Sequence, residues 1–454
     1  MKRSLLQCLA LVLCVLVCPA VPAWSQSSAG LALLSIEELM EIEVFTASRG
    51  DQQLAHTAAA AMVLTADDLR RAGVTSIPEA LRLVPGMEVA RINAGEWAVT
   101  ARGFNDLFAN KLLVLVDGRS VYTPLFSGVF WDLQALPMAD IERIEVVRGP
   151  GAVLWGANAV NGIVNIITRS AAAAPLLRLT VGAGSQQRFV TGASAGGRLG
   201  ESLHYRVHAR ASERNSLADV HGDDAHDGWR AYQGGFRVDG RLSHRDSLSL
   251  QGGIYDARTK KKWFLSFSPA EPEPREVMPA TPSTQQHLQA QWTHERPGGS
   301  DIALQLAYAR VERDETPIAG RTNILDMDVQ QRVSVGARQD VVWGLGYRWT
   351  RGRLEGSFAT STDPAKRTYD QVSAFVQSTI DVTPERLALV LGSKLEHFDL
   401  GGVAFQPNAR MLWTPDSRHT LWAAVSQAVR TPSRGDHDLR AARLAPAELV
   451  PEGF

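Results

Sequence analysis

Cysteine is almost missing from this chain. Its 454 residues include three, Cys8, Cys14 and Cys18, so everything after them lacks the means for a disulfide or a thiolate metal site. An excess of one charge is missing too. The 47 basic residues stand against 48 acidic ones, for a net charge of -1, which excludes the broad basic footprint of a nucleic-acid binder. Beyond Val17 no run of about 18 apolar residues occurs, and that excludes a helical membrane span. It does not exclude a membrane β-barrel, whose strands alternate lipid-facing and lumen-facing residues; the mean hydropathy of -0.10 suits one. Catalytic signatures are absent as well. There is no Gly-x-Ser-x-Gly elbow, no His-Glu-x-x-His helix and no lysine-bearing phosphate loop, so the chain is not expected to be an enzyme.

What is present begins with an export signal. Residues 1–25 combine Lys2-Arg3, an apolar run from Leu5 to Val17 and the small-x-small site Ala23-Trp24-Ser25, which predicts a mature chain starting near Gln26. Cys18 is disfavoured as a lipid anchor, because Val17 stands where such signals need a small residue. Two helix starts follow. Thr65 can cap a helix that Asp68 closes, and Ser76-Ile-Pro-Glu79 repeats the pattern before a helix stopped by Pro85-Gly86. Leu112-Leu-Val-Leu-Val116 reads as a strand ended by the hairpin signal Asp117-Gly118. From Ala139 to Arg169 come a strand, a tight Arg148-Gly149-Pro150 turn, a Gly- and Asn-rich bend, and an apolar strand from Ile163 to Thr168. Gly151, Gly156 and Gly162 mark places of unusual backbone angle or close approach.

After the break at Ala171-Ala-Ala-Ala-Pro175 the period changes to two. Leu203, Tyr205, Val207 and Ala209 alternate with His204, Arg206, His208 and Arg210; Trp343, Leu345, Tyr347 and Trp349 alternate with Gly344, Gly346, Arg348 and Thr350. About thirteen such segments recur to the end. Ser243-His-Arg-Asp246, Val382-Thr-Pro-Glu385 and Thr414-Pro-Asp-Ser-Arg418 read as tight turns, whereas residues 213–228, 258–285, 313–328 and 351–368 read as long polar loops. Short turns on one rim and long loops on the other is an outer-membrane barrel layout. A soluble sandwich would alternate too, but without long loops at every second connection.

The N-terminal elements resemble, in order, the plug domain of TonB-dependent outer-membrane receptors. The resemblance rests on the Pro85-Gly86 stop, Thr100-Ala-Arg-Gly-Phe104, Val116-Asp-Gly118, Ile141-Glu-Arg-Ile-Glu-Val146, Arg148-Gly-Pro150 and Gly162-Ile-Val-Asn-Ile-Ile-Thr168. Trp155 stands where the family usually has tyrosine, and Gly151 where a small residue such as alanine is usual. Glu41-Ile-Glu-Val-Phe-Thr-Ala47 resembles the family's TonB box, which implies that Glu43, Val44, Phe45, Thr46 and Ala47 pair as an added strand with TonB. The plainer alternative is the end of a short amphipathic helix over Leu33 to Ile42.

The resemblance implies a transmembrane β-barrel with an N-terminal α+β plug domain in its lumen. The expected organisation is a signal peptide over 1–25, an N-terminal extension with the TonB box over 26–56, a plug over 57–169 and an antiparallel barrel over 175–454. The barrel is expected to be partial, about 13 of the 22 strands of plugged barrels, since Leu444 to Phe454 carries two prolines and no alternation. Plug turns are assigned to Gly103, Asp117, Gly118, Gly149, Pro150, Gly156 and Gly162. Arg102 and Arg148 are implied to pair with glutamates on the inner barrel wall, the alternative being that each caps its own turn. His221, Asp223 and His226 could hold a divalent ion, with a solvated loop tip as the plainer reading. Lys260-Lys-Lys-Trp-Phe264 could draw an anionic ligand, or simply mark a loop base.

The function so implied is TonB-dependent active uptake of a scarce metal chelate, foremost a ferric siderophore, across the Gram-negative outer membrane. Its partners would be TonB with its inner-membrane energising complex, outer-membrane lipid and the small chelate, with no nucleic acid. No cofactor would be bound permanently; the iron chelate is cargo. Rival readings are a cobalamin or haem receptor of the same family, a passive porin-like barrel, and a truncated, non-functional receptor.

Overall fold

The computed structural model describes residues 43–49, 52–53, 57–268, 273–296, 298–416 and 419–441. The expected signal peptide, the helix alternative over 33–42 and the tail from Leu444 lie outside the described residues.

Two stretches of consecutive apolar residues build the plug's centre. Leu112–Val116 (β6) and Gly162–Thr168 (β9) pair in parallel, and β6 is buried along its whole length. Unbroken apolar runs suit strands covered on both faces. Ile141–Arg148 (β8) joins β9 from the other side, Ala60–Thr65 (β3) forms one edge, and the two-residue strand Arg119–Ser120 (β7) the other, giving the order β3-β8-β9-β6-β7. The tight link from β6 to β7 is the Asp117-Gly118 turn, with φ of 48° and 78°, as the hairpin signal requires.

Met87–Arg91 (β4) and Trp97–Ala101 (β5) pair as a separate hairpin, and helices close the sheet. Thr65 caps Ala66–Ala72 (α1) reciprocally: its hydroxyl accepts from the Asp68 amide at 3.2 Å and its amide donates to the Asp68 carboxylate at 2.8 Å. The second start departs from the expected box. Ser76 makes no side-chain cap at Ile77–Leu81 (α2), and the Glu79 carboxylate accepts instead from the amide and hydroxyl of Thr75 at 3.1 and 2.9 Å. The glutamate reaches one residue further back than expected.

Two turn glycines differ in their reason for being glycine. Gly149 has φ 109°, a backbone that other residues adopt only with strain. Gly162 lies outside the positive-φ residues, but a Cβ there would stand 2.7 Å from the Val147 carbonyl oxygen. Crowding fixes it, not an angle.

The second region is one antiparallel sheet of 13 strands, from Leu177–Gly182 to His419–Ser426, each paired with the next along the chain. Its two end strands do not pair with each other among the described residues. The alternation places its apolar half outward: Val207, Leu345 and Val372 are exposed, whereas Arg206, Phe375 and Gln377 are buried against the plug side. Two of the expected loops are largely strand. Ser300–Asp314 and Ile318–Val335 leave only Glu315, Thr316 and Pro317 between them, and Gln339–Gly356 and Lys366–Thr383 run far into 351–368. Ladder bonds use backbone groups alone, so beyond the lipid they continue through polar sequence that carries no apolar period.

Candidate functional site

The segment ahead of the plug is pinned beneath it. Glu43–Val44 (β1) pairs with Gln52–Gln53 (β2), and Val44 is fully buried beside Ala47, Val63 and Val147. Glu145, in the middle of β8, is also fully buried. One of its carboxylate oxygens accepts from the amides of Phe45 and Thr46, at 3.0 and 2.7 Å, and from the Thr46 hydroxyl at 2.6 Å. The other accepts from Arg143 at 2.8 Å. A buried carboxylate needs this many donors to offset its lost hydration. Trp155 closes the clasp, donating from its indole N–H to the Thr46 carbonyl at 2.7 Å and meeting the Phe45 ring edge-on.

Arg49 carries the segment over to the barrel wall. Its guanidinium lies 4.4 Å from the Trp155 ring centre and 4.9 Å from that of Phe375, with Asp328 at 3.6 Å. Gln330 donates to its carbonyl at 3.1 Å. None of Arg49, Glu145 and Trp155 was singled out from the sequence for this role. The available signal was Glu145 set between Ile144 and Val146, a charge among residues bound for burial, which must find a partner.

The implied plug arginines behave differently from expectation. Arg148 donates to the Pro85 carbonyl at 2.7 Å. The Arg102 guanidinium stands 3.0 Å from the place a Gly149 Cβ would take. Neither makes an ion pair with a barrel glutamate among the described residues. A barrel glutamate does grip the plug, but through backbone: buried Glu396 accepts from the Ala157 amide at 2.8 Å and from Gln406 at 2.6 Å, with Lys394 at 3.6 Å. Gly156, with φ 90°, lets the turn approach, since a Cβ there would meet Glu396 at 2.5 Å.

A second set of ties runs through the Asp117 turn. The Asp117 carboxylate accepts from the Thr168 amide and hydroxyl, both at 2.8 Å, and from Gln251 at 2.9 Å, while Gln289 donates to the Asp117 carbonyl at 2.7 Å. On the long-loop side, Lys261 bridges Glu96 and Glu315 at 2.8 and 3.2 Å, and Arg313 holds Asp132 at 2.6 Å. Burial pushes the Glu96 carboxyl above its ordinary range, with Lys261 working against it. Two lysines of the run, Lys261 and Lys262, are therefore taken up by ion pairs, Lys262 with Glu276 at 3.1 Å. Phe108, Phe126 and Phe130 stack edge-on beside this network and line a cavity of about 110 Å³.

His221, Asp223 and His226 do not come together as a ligand set, and no metal-ligating cluster occurs among the described residues. The backbone amides of His221 and Asp223 donate to Asp219, and that of His226 to Asp224. The carboxylates of Asp219 and Asp224 thus serve the loop's own backbone. Gly103 lies at a bend with φ 88°, and Pro150 follows the bend at Gly149.

Comparison with known proteins agrees with this architecture. The TonB-dependent Receptor Plug Domain family matches residues 53–163, and the TonB dependent receptor-like β-barrel family matches residues 197–442. Among curated relatives, the vitamin B12 transporter BtuB of Photobacterium profundum is 28% identical over 227 residues, 49% of this chain and 36% of the relative. BtuB of Vibrio vulnificus is 35% identical over 144 residues, 31% of this chain and 23% of the relative. Among solved structures, the ferric enterobactin receptor of Pseudomonas aeruginosa aligns with TM-score 0.64 at 18% identity, covering 83% of this chain and 62% of that one. The siderophore receptor PirA of Acinetobacter baumannii aligns at 0.65 and 17%, covering 82% and 62%. The chain thus spans under two thirds of the length of each of these relatives. That family consists of outer-membrane transport receptors rather than enzymes, and this chain, with a plug and thirteen strands of wall among its described residues, belongs to the TonB-dependent receptors.

Proposed function

We propose that this receptor takes up a scarce metal chelate across the outer membrane, powered by TonB acting on Glu43 to Ala47. The observation that carries this reading is the clasp on Thr46: a short strand, β1, whose following turn is held to the plug by one carboxylate and one indole. Such a strand can be exchanged for pairing with a partner strand, and a pull on it acts directly on β8 and, through Arg49, on the wall. The cargo would bind at the long-loop face of the plug, near the aromatic cavity beside Lys261. A ferric siderophore is the foremost cargo by fold likeness. The sequence relatives, named for vitamin B12, support cobalamin as a second.

Val44→Pro tests the coupling. Proline removes an amide donor and prevents strand addition, so uptake should fall to background while cargo still binds at the cell surface. Radiolabelled cyanocobalamin and ferric enterobactin, offered separately to cells with and without TonB, separate the two cargoes. Unchanged uptake by Val44→Pro would remove this segment from the mechanism.

A further inference from the structure

The outward face of the wall changes character along its strands. On Gln339–Gly356 the outward side chains are Val341, Trp343, Leu345, Tyr347 and Trp349, followed by Arg351 and Arg353. Val341 to Trp349 covers nine residues, the length of strand that crosses a bilayer's hydrocarbon, and its aromatic residues suit the two interfaces. Arg351 and Arg353 therefore stand just beyond the lipid, at the end away from the short connection 336–338. Neighbouring strands add cations in register. Arg321 lies opposite Arg353, and Arg353 opposite Lys366; one row nearer the lipid, Asn323 lies between Arg310 and Arg351.

Five cations thus share a patch with two carboxylates, Glu312 and Glu355. Glu312 accepts from Arg310 at 2.6 Å and pairs with Arg321 at 2.9 Å, and Glu355 pairs with Arg353 at 2.6 Å. Arg351 and Lys366 are exposed and make no ion pair among the described residues. Like charges set directly opposite on a sheet repel, so the row of Arg321, Arg353 and Lys366 calls for an anion. Elsewhere on the same face charge is balanced on the spot: Glu213 pairs with both Arg188 and Arg230, at 2.8 and 3.1 Å.

We infer that Arg321, Arg351, Arg353 and Lys366 bind a phosphate group of an outer-leaflet lipid. Guanidinium groups hold phosphate in bidentate fashion and keep their charge, and the Lys366 ammonium adds a point charge on a flexible stem. Placement selects a lipid over a soluble anion. The patch faces away from the lumen, and the rows below it lead through Leu325 and Trp349 to exposed Met327, Leu345 and Val372. Acyl chains would lie against these apolar side chains while the headgroup phosphate meets the cations. The site requires the outer-membrane placement of the family and is independent of which cargo the receptor carries.

Lipid binding to the intact receptor tests this. The receptor, extracted from outer membranes and freed of lipid in mild detergent with EDTA, would be titrated with diphosphorylated lipid A, with the same lipid stripped of its phosphates, and with inorganic phosphate. Native mass spectrometry counts the bound forms. The parent should bind diphosphorylated lipid A at least about tenfold more tightly than the phosphate-free lipid, as the loss of charge-assisted hydrogen bonds implies. Arg351→Gln with Lys366→Gln should remove that preference, and Arg353→Gln, made separately, should lower it. Arg188→Gln with Arg230→Gln takes the same charge from paired positions and should keep it. Equal affinity of the parent for the two lipids, an equal loss in both double variants, or inorganic phosphate that displaces diphosphorylated lipid A at equal concentration overturns the inference.

Discussion

The inside of the plug and its contact with the barrel wall are built from different materials. Inside, Val114, Ile144, Val146, Val164 and Ile166 are wholly buried in a continuous apolar cluster. At the wall, two small apolar clusters, around Leu133 and around Leu154, sit among polar ties: Gln251 and Gln289 on Asp117, Arg313 on Asp132, Glu396 on Ala157. Apolar burial is lost only by opening the core, whereas each polar tie exchanges for water at a modest net cost. The difference teaches that the plug's own fold and its hold on the wall rest on different interactions.

Four substitutions or conditions would break or sharpen that contrast. Ile144→Ala opens a void at the centre of the sheet and should cost the plug about 2–5 kcal/mol, seen as protease sensitivity of the plug in isolated outer membranes. Gly149→Val forces a branched residue to a positive φ and should cost about 1–3 kcal/mol of strain; an unchanged denaturation midpoint would show that the Arg148-Gly-Pro150 turn is not fixed. Gln251→Ala removes one tie to Asp117 and should cost only about 0.5–1.5 kcal/mol, leaving plug protection intact. Loss of protection as large as that of Ile144→Ala would erase the distinction between core and contact.

The smallest effect concerns acid. Burial works to raise the Glu79 carboxyl, but the Thr75 amide and hydroxyl overcome it and hold it below its ordinary 4.5. A lowered folded value means the stabilisation is complete above that ordinary value and is lost as pH falls through the folded one. Glu79→Gln should therefore flatten the stability profile below about pH 4.5, its small loss of stability appearing near neutrality, where the carboxylate's contribution is complete. A parallel acid profile in Glu79→Gln would place the titration elsewhere.

Some of this was legible beforehand. The capping box at Thr65, the Asp117-Gly118 turn and the alternation around Tyr205 and Leu345 are local patterns, and each formed as read. The polar strands through 313–328 were not legible, because their ladder bonds carry no side-chain signature. The Ser76 box misled because its glutamate reaches Thr75 instead. Arg102 and Arg148 were named from a family likeness, while the carboxylate that grips the plug, Glu396, lies 239 residues from its amide partner.

The sequence by itself determined the elements: apolar runs make covered strands, alternation makes a two-faced wall, and capped turns set where the chain reverses. Those follow from interactions within a few residues. Tertiary structure alone decided that Glu145 would hold Thr46 across 99 residues and that Trp155 would serve both Thr46 and Arg49. A buried charge announces that it needs a partner, but only the folded chain brings that partner within hydrogen-bond reach.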